Sequence, residues 1–424
     1  MTGREAFGAE LRRRRQQAQL SLSQLAARVH YTKGYLSKIE SGSQSVNSTF
    51  ARMVDAALEA NGELVALAMA PTRVEHDDHD VGPTDGAWTM SLNPDGTGHF
   101  APVATHDVDA EFWPSATPGR DPIDPSTALT LFRARFQQAR SFGQQVSAAV
   151  ALPMVIIETH ALRGLARNLP DESAAALWRL AAQYAEYAGW MSQESGDDRQ
   201  ALWWTRTAVQ MAARAGDESL RPFALVRRAD MTLHADDAHQ TIDLARQAQA
   251  DTAATARVRG LAAQREAQGY ALLGDREAYL RAMDLSARLL DEAADTPGPK
   301  LGTWRTPDTT VMVRGWCLVD LGRPEEAAAL LEPGIAAFPD TASRARARYA
   351  LRTVLALATA GEIDHACDII EWLATDLRRV DSATVRHDVR LLHREFRRRA
   401  GQARVRELLP LLTDLMRSPN LDHA

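Results

Sequence analysis

The sequence predicts an all-α protein in which a small helical head is joined through a polar linker to a long helical-repeat domain. Apolar residues recur at helical spacing near the N-terminus and again from about residue 126 onward. The intervening stretch is rich in proline, glycine and aspartate and has little helical periodicity. The predicted boundaries are 1–70 for the head, 71–125 for the linker and 126–424 for the repeat domain.

Charge is distributed in the same way along the chain. Residues 1–70 contain nine Lys+Arg and six Asp+Glu, whereas residues 71–125 contain two and eleven. A basic head beside an acidic tether is typical of nucleic-acid-binding proteins, although an excess of three charges is weak evidence by itself.

Neither a secretory nor a membrane protein is indicated. Cys317 and Cys367 form no disulfide framework and no metal-ligand pattern. The charged N-terminus lacks a signal peptide, and no apolar run approaches the ~20 residues that span a bilayer. These features predict a cytoplasmic protein without a membrane partner.

Within the linker, residues 88–92 alternate between large and small side chains, and 93–96 form an Asn-Pro-Asp-Gly turn signal. A second strand over 97–103 would complete a small β-hairpin. The segment 76–80 offers histidine and aspartate side chains to a metal, but it lies in an acidic tether. It is therefore expected to be a solvated segment, and no metal site is predicted.

The segment 21–42 predicts two short helices joined by a tight turn at His30 and Tyr31. Ser21 or Ser23 can cap the first helix, and Thr32 can cap the second. Further along, Asn61 and Gly62 form a helix stop signal, since both residues tolerate positive φ. The predicted seam between the two helices consists of Leu25, Ala26, Val29, Leu36 and Ile39.

This pattern, with Tyr-Leu-Ser-Lys-Ile-Glu-x-Gly in its second helix, resembles the XRE/Cro/CI family of lambda-repressor-like helix-turn-helix domains over residues 5–69. The resemblance implies that residues 32–41 form a recognition helix in the major groove of double-stranded DNA. It also implies an ion pair between Arg15 and Glu40. The DNA contacts expected by position come from Ser23, Thr32, Lys33, Gly34, Ser37, Lys38 and Asn47.

The lysines of the chain are unusually placed. There are 46 arginines but three lysines, and two of these, Lys33 and Lys38, lie on the predicted recognition helix. Lysine can donate hydrogen bonds to guanine O6 and N7, although a solvated helix face would also accommodate both residues. Gly34 departs from the family pattern, in which a longer polar residue is common at this position. The neighbouring arginines 12–14 either contact phosphates or form a solvated face.

The repeat domain is predicted from recurring helix-breaking turns. They begin at residues 196, 235, 274, 322, 361 and 401, in steps of 39, 39, 48, 39 and 40 residues. A period near 40 residues with two helices per repeat is typical of an α-solenoid. The hairpins resemble tetratricopeptide repeats and are TPR-like in pattern. The whole arrangement is similar to actinobacterial helix-turn-helix/TPR regulators and, more distantly, to the peptide-sensing RRNPP group.

That resemblance implies an effector, either a peptide or a small acidic molecule, on the concave face formed by the first helix of each hairpin. The scarcity of asparagine in the repeat region disfavours a peptide, and each candidate side chain could equally be a core or solvated residue. The candidates are Tyr184, Tyr187, Trp190, Arg227, Arg228, Arg259, Gln264, Arg314 and Trp316.

The arginine-rich C-terminal helices carry an apolar stripe at Val385, Val389, Leu392 and Phe396. This stripe predicts either a dimer interface or a capping repeat, and a surface for an acidic partner is the alternative interpretation.

The chain contains no phosphate-binding loop, nucleophile elbow or zinc-protease motif, so the sequence predicts neither an enzyme nor a cofactor. The predicted function is a homodimeric, sequence-specific transcription regulator that binds an inverted-repeat operator. Its repeat domain would respond to a peptide, a small molecule or a protein partner. The alternative is a protein-interaction scaffold with a DNA-tethering head, and an antitoxin-like partner is a third, weaker hypothesis.

Overall fold

The computed structural model describes residues 3–44, 46–68, 88–92, 98–102, 124–167, 169–294 and 309–417. The prediction of an all-α protein is confirmed, because these residues form nineteen helices. The remaining regular structure is two short strands. Strand β1 (Trp88–Leu92) pairs antiparallel with β2 (Gly98–Pro102), with Trp88 opposite Pro102 and Leu92 opposite Gly98. The predicted turn between the strands and the metal-capable segment 76–80 lie outside the described residues.

Five short helices form the head around a core that is closed to solvent. Its largest fully buried side chains include Phe7, Leu11, Leu36 and Phe50. Ser21, and not Ser23, caps the second helix, in a reciprocal capping box with Gln24. The helices are α1 (Gly3–Gln17), α2 (Leu22–Arg28), α3 (Lys33–Glu40), α4 (Ser48–Ala57) and α5 (Glu63–Ala68).

Fourteen further helices follow as antiparallel hairpins in the described part of the repeat domain. They are α6 (Pro125–Gly143), α7 (Ala148–Arg167), α8 (Asp171–Ser195), α9 (Asp198–Arg214), α10 (Leu220–His234), α11 (Ala238–Ala250), α12 (Ala256–Leu273), α13 (Arg276–Glu292), α14 (Thr309–Asp320), α15 (Pro324–Ala336), α16 (Ser343–Ala360), α17 (Ile363–Val380), α18 (Ala383–Arg397) and α19 (Ala403–Met416).

The predicted hairpin turns are confirmed from residue 196 onward. Gly196, Gly274, Gly322 and Gly361 each lie between the two helices of a hairpin with φ of 94°, 76°, 70° and 91°. Only glycine adopts this left-handed conformation without a steric penalty, which ends the first helix and starts the return. In the hairpin of α10 and α11, Asp236 takes the equivalent conformation with φ of 58°.

The row of hairpins curves so that its end returns toward its start. Helix α18, the first helix of the last hairpin, packs against both α16 and α8. The Glu194 carboxylate on α8 accepts hydrogen bonds from Ser382 and Thr384, which are fully or almost fully buried. The first helices of successive hairpins, α8, α10, α12, α14 and α16, line the interior of this curved domain.

The C-terminal apolar stripe belongs to the interior of this chain. Val385, Val389, Leu392 and Phe396 are at most 4% exposed and lie in one core cluster with α14 to α17 and α19. Their interpretation as a dimer interface is therefore wrong, because the side chains are already buried by neighbouring hairpins. The same burial supports their interpretation as part of a terminal, capping repeat.

Helix α7 is long and apolar enough, by length and composition alone, to cross a membrane. No such run is predicted from the sequence. Helix α7 packs against α6 and α8. Its outer face carries Val150, Met154 and Ile157, which are 54%, 50% and 52% exposed. These three residues form an exposed apolar stripe at helical spacing.

The head sits on the hairpin turns of the repeat domain. A Cβ atom added at Gly62 would lie 2.3 Å from the Leu273 carbonyl oxygen, and one at Gly322 would lie 2.4 Å from the Arg52 oxygen. At the next turn, the ring of His30 lies 3.2 Å from where a Cβ of Gly361 would be. Three successive turns thus approach the head closely, and glycine is required wherever the two backbones touch.

Candidate nucleic-acid interface and repeat-domain cavity

Helix α3 presents one exposed edge, on which the sequence-predicted contact residues lie together. Lys33, Gly34, Ser37 and Lys38 are all exposed, while Leu36 and Ile39 on the opposite face are completely buried. Nothing lies within 4 Å of where a Gly34 Cβ would be. Spacing of three and four residues explains the division, since such residues share a helix face. This edge is free to enter a groove.

Two of the predicted backbone-contact residues also act as helix caps. The Thr32 hydroxyl oxygen accepts a hydrogen bond from the Tyr35 amide at 3.2 Å, and Asn47 Oδ1 accepts one from the Phe50 amide at 2.7 Å. Both caps use an acceptor oxygen. The hydroxyl hydrogen of Thr32 and the amide hydrogens of Asn47 remain available to donate to a phosphate.

The predicted ion pair between Arg15 and Glu40 is confirmed and is bidentate. Arg15 Nε and Nη2 donate to the two Glu40 oxygens at 2.6 and 2.9 Å, and Arg15 Nη1 donates to the Leu20 carbonyl at 2.9 Å. These bonds join α1 to the end of α3 and to the start of α2. The pair therefore fixes the orientation of the recognition helix within the head.

The three arginines before Arg15, at positions 12 to 14, differ in their ion-pair partners. Hydrogen bonding and ion pairing with Arg13 and Arg14 lower the pKa of Glu10 to about 2, against the smaller effect of burial. Arg14 also contacts Glu63 on α5. Arg12 is exposed at the helix surface. The run from Arg12 to Arg15 thus contains three residues paired within the head and one, Arg12, that is exposed to solvent.

At the turn before α3, the head contacts the end of α18 through an aromatic cluster. Tyr31, Tyr35 and Phe50 pack with ring centroids 4.8 to 5.1 Å apart. The Arg398 guanidinium lies 3.4 Å from the Tyr31 ring centroid and donates a hydrogen bond to the Tyr31 hydroxyl. Burial raises the pKa of Tyr31 well above its ordinary value.

A buried ion network forms a second contact between head and repeats. Arg52 on α4 pairs with Asp320 on α14 at 3.2 Å, and Arg352 on α16 pairs with the same carboxylate at 3.3 Å. Arg352 also pairs with Asp388 at 2.8 Å. All four side chains are at most 8% exposed. Because these buried charges compensate one another, removal of one member leaves its partner buried without that counter-charge.

A cavity of ≈ 120 Å³ lies inside the curve of the repeat domain. Its walls come from α6 and from the first helices of the next hairpins, α8, α10, α12, α14 and α16. The residues that line it are Arg140, Gln144, Glu186, Tyr187, Trp190, Glu194, Phe223, Val226, Arg227, Asp230, Leu261, Gln264, Arg265, Val313, Arg344, Ala345, Arg348 and Tyr349.

Four of the nine residues predicted to bind an effector line this cavity, namely Tyr187, Trp190, Arg227 and Gln264. The other five, which the structure places outside the lining, are Tyr184, Arg228, Arg259, Arg314 and Trp316.

The reasons for their exclusion are geometric. Tyr184 is fully buried and donates a hydrogen bond to the Phe132 carbonyl at 2.8 Å. Arg228 is rotated by about 100° around α10 from Arg227, since a helix has 3.6 residues per turn. Arg259 and Arg314 are exposed to solvent. Trp316 lies beneath Arg352, with 3.7 Å between guanidinium carbon and ring centroid.

The sequence did not predict several charged residues of the cavity. They are arginines on α16, the carboxylates that these arginines contact, and Arg265 on α12. Arg344 donates to Glu194 at 2.8 Å and to the Gly143 carbonyl at 2.9 Å. Arg265 pairs with Asp230 at 2.8 Å, and Arg348 is 3.8 Å from the same carboxylate. The available signal was the spacing of Arg344, Arg348 and Arg352 by four residues within an alanine-rich helix, which places all three on one face.

His234 completes this cluster in its neutral form. Burial lowers its pKa to about 4, an effect that the neighbouring Asp230 carboxylate only partly offsets. Its Nδ1 lies 2.7 Å from the Asp230 carbonyl oxygen and its Nε2 lies 2.9 Å from an Arg348 nitrogen. One ring nitrogen therefore donates and the other accepts, as a neutral imidazole requires. Burial raises the pKa of Asp230, but the charges of Arg265 and its neighbours outweigh burial and lower it overall.

Comparison with known proteins identifies the head. Residues 6–68 match a protein family described as a helix-turn-helix domain. The matched segment covers most of α1 and all of α2 to α5, including the exposed edge of α3. A helix-turn-helix domain indicates DNA binding and, with it, transcription regulation. Neither a curated protein nor a solved structure matches the chain.

Proposed function

We propose that this protein is a homodimeric, sequence-specific DNA-binding transcription regulator, cytoplasmic and without catalytic activity, whose repeat domain responds to an effector. The observation that carries the proposal is the exposed lysine-bearing edge of α3 on a helix-turn-helix head. Lys33 and Lys38 would contact bases, whereas Ser23, Thr32 and Asn47 would donate to phosphates. The head docks on the repeats through α4, the turn before α5 and the turn before α3, and Lys33 and Lys38 of α3 remain exposed.

The exposed stripe of α7 supports the dimeric part of the proposal. Val150, Met154 and Ile157 repeat at helical spacing, and exposed Leu131 lies on neighbouring α6. A contiguous apolar patch on a protein surface is typical of an interaction site. Two heads are needed because one recognition helix contacts too few bases, and a two-fold dimer matches an inverted repeat with half-sites about one helical turn apart.

The α16 arginines support a response to an effector. Arg348 lines the cavity, and Arg352, one turn later on the same helix, pairs with the Asp320 that holds Arg52 of the head. Both guanidinium groups lie over the ring of Trp316, at 5.0 and 3.7 Å. A ligand that prefers one position of α16 would therefore also favour one position of the head. The aromatic-lined cavity favours this function over that of a scaffold with a featureless concave face.

Selection of genomic DNA fragments by the purified full-length protein tests the proposal. Sequencing of the bound fragments is expected to give a short inverted repeat near promoters, and light scattering of the free protein is expected to give a dimer. The double variant Lys33→Ala/Lys38→Ala is the matched control and should enrich no such motif. A folded wild-type protein that enriches no sequence, or enriches the same motif as the double variant, would contradict the assignment.

A further inference from the structure

The cavity of the repeat domain is lined by two chemically different sets of side chains. One set is apolar and partly aromatic, and the other is charged or polar. Five arginines and three acidic residues line the cavity, which leaves an excess of positive charge. The apolar set consists of Tyr187, Trp190, Phe223, Val226, Leu261 and Val313.

The acidic groups of the cavity already have partners. Glu194 accepts hydrogen bonds from Arg344, Ser382 and Thr384. Asp230 accepts one from Gln193 at 3.1 Å and pairs with Arg265. The third acidic residue, Glu186 on α8, is paired with Arg227 on α10. The carboxylate oxygens that line this cavity therefore already accept hydrogen bonds or ion pairs from the protein itself.

Several donors that line the cavity lack a partner among the described residues. The side chain of Gln264 is 98% buried (2% exposed), and its Nε2 has no hydrogen-bond partner. The same holds for the Nε atoms of Arg227, Arg265 and Arg348. A buried donor without a partner destabilises the folded protein, because it has lost its hydrogen bonds to water. All four orphaned groups in the lining are donors, so the site is complementary to a ligand that supplies acceptors.

We propose that this cavity binds a small aromatic carboxylate. Its ring would pack against Trp190 and Phe223, and its carboxylate would accept hydrogen bonds from Gln264 and from the arginines around it. The cavity is far larger than the ~10–15 Å³ needed for one water, so it has room for a small organic molecule. The proposal rests on the effector-responsive function above and names the chemical class of the effector.

Direct binding to the full-length protein tests the ligand class. Phenylacetate and indole-3-acetate are the probes, and their primary amides serve as uncharged counterparts of the same shape. Calorimetry and thermal unfolding are expected to show binding of at least one acid, with its amide about 10- to 100-fold weaker because charged hydrogen bonds are lost. Equal affinity of acid and amide, or binding of neither acid, would overturn the proposal.

Two variants test the location of the site. Gln264→Leu removes an orphaned donor with little change in volume, and Arg227→Gln removes a positive charge from the wall. Each is expected to weaken binding of the acid by about tenfold or more. The control is Arg259→Gln, on the same helix as Gln264 but exposed and outside the lining, which should bind like wild type. Unchanged affinity in folded Gln264→Leu and Arg227→Gln proteins would place any binding elsewhere and sink the proposal.

Measurement of operator affinity separates this proposal from the proposed function. An acid that binds in the cavity and shifts operator affinity supports both. Cavity binding without such a shift supports the ligand class and contradicts an effector response. DNA selection that succeeds while no acid binds contradicts the ligand class alone.

Discussion

On α3 of the head, Lys33 and Lys38 are exposed and have no ion-pair partner among the described residues. On α16 of the repeat domain, Arg344 and Arg352 are 3% and 5% exposed and are paired with carboxylates on other helices. An exposed, unpaired cation attracts a polyanion at long range and loses little on binding it. A buried cation that is paired with a carboxylate holds helices together. Only an N–H group that the carboxylate does not use is left to bind a ligand. The surroundings of a basic side chain, and not its charge, therefore separate the two roles.

The largest effect is expected when a buried carboxylate is removed from the repeat domain. Glu194→Ala would leave Arg344 without a counter-charge and remove the acceptor that joins α8 to α18. We expect a loss of about 3–5 kcal/mol in the free energy of unfolding, measured by chemical denaturation. Glu172→Ala, an exposed position on the same helix, should change stability by less than about 0.5 kcal/mol. Similar effects of the two variants would show that burial does not distinguish these carboxylates.

Acidification is expected to act on the same buried cluster. His234 has a folded-state pKa of about 4 against an ordinary value of 6.5, so the unfolded chain binds more protons between these values. Stability should therefore be complete above about pH 6.5 and fall as the pH decreases toward 4, by about 3 kcal/mol at most.

Thermal unfolding across this pH range, compared between His234→Gln and the exposed control His239→Gln, measures that contribution. The first variant should flatten the pH profile, and the second should keep the slope of the wild type. A wild-type profile that is flat between pH 4 and 6.5 would contradict the buried, neutral state of His234.

A smaller effect is expected for single lysines of the head. Lys33→Ala or Lys38→Ala should weaken operator binding by about 1–3 kcal/mol if the lysine contacts a base, without a change in the free energy of unfolding. Fluorescence anisotropy with labelled operator measures the affinity at several salt concentrations. Unchanged affinity in both variants would rule out α3 as the recognition helix. The control Arg259→Ala, on the outer surface of the repeat domain, should bind like wild type.

The smallest effects are expected at Asn47, which caps α4 and is also proposed to contact a DNA phosphate. Asn47→Ala removes the cap of α4 and should destabilise the head by about 1 kcal/mol. Asn47→Asp keeps the acceptor that caps the helix, so its stability should stay near wild type. Its negative charge should nevertheless weaken DNA binding, because a phosphate lies nearby in the proposed complex. Wild-type operator affinity in Asn47→Asp would limit this residue to its role as a cap.

Much of the head was predictable because its structure depends on local signals. The capping residues Ser21, Thr32 and Asn47 precede their helices directly, and the apolar spacing of the seam fixes which face of α3 is buried. The hairpin turns of the repeat domain were predictable for a similar reason, since a glycine with positive φ ends a helix wherever it stands. These features belong to segments of a few residues, and the sequence alone determined them.

Only the tertiary structure decided which distant residues share a cavity or a network. Arg227 and Arg228 are adjacent in sequence, yet one lines the cavity and the other does not, because a helix turns by about 100° per residue. Asp320 joins Arg52 and Arg352, which are 300 positions apart. The turn glycines dock the head through the same left-handed bends that end their helices. Such contacts depend on how the hairpins curve, and that curvature comes from packing summed over the whole repeat domain.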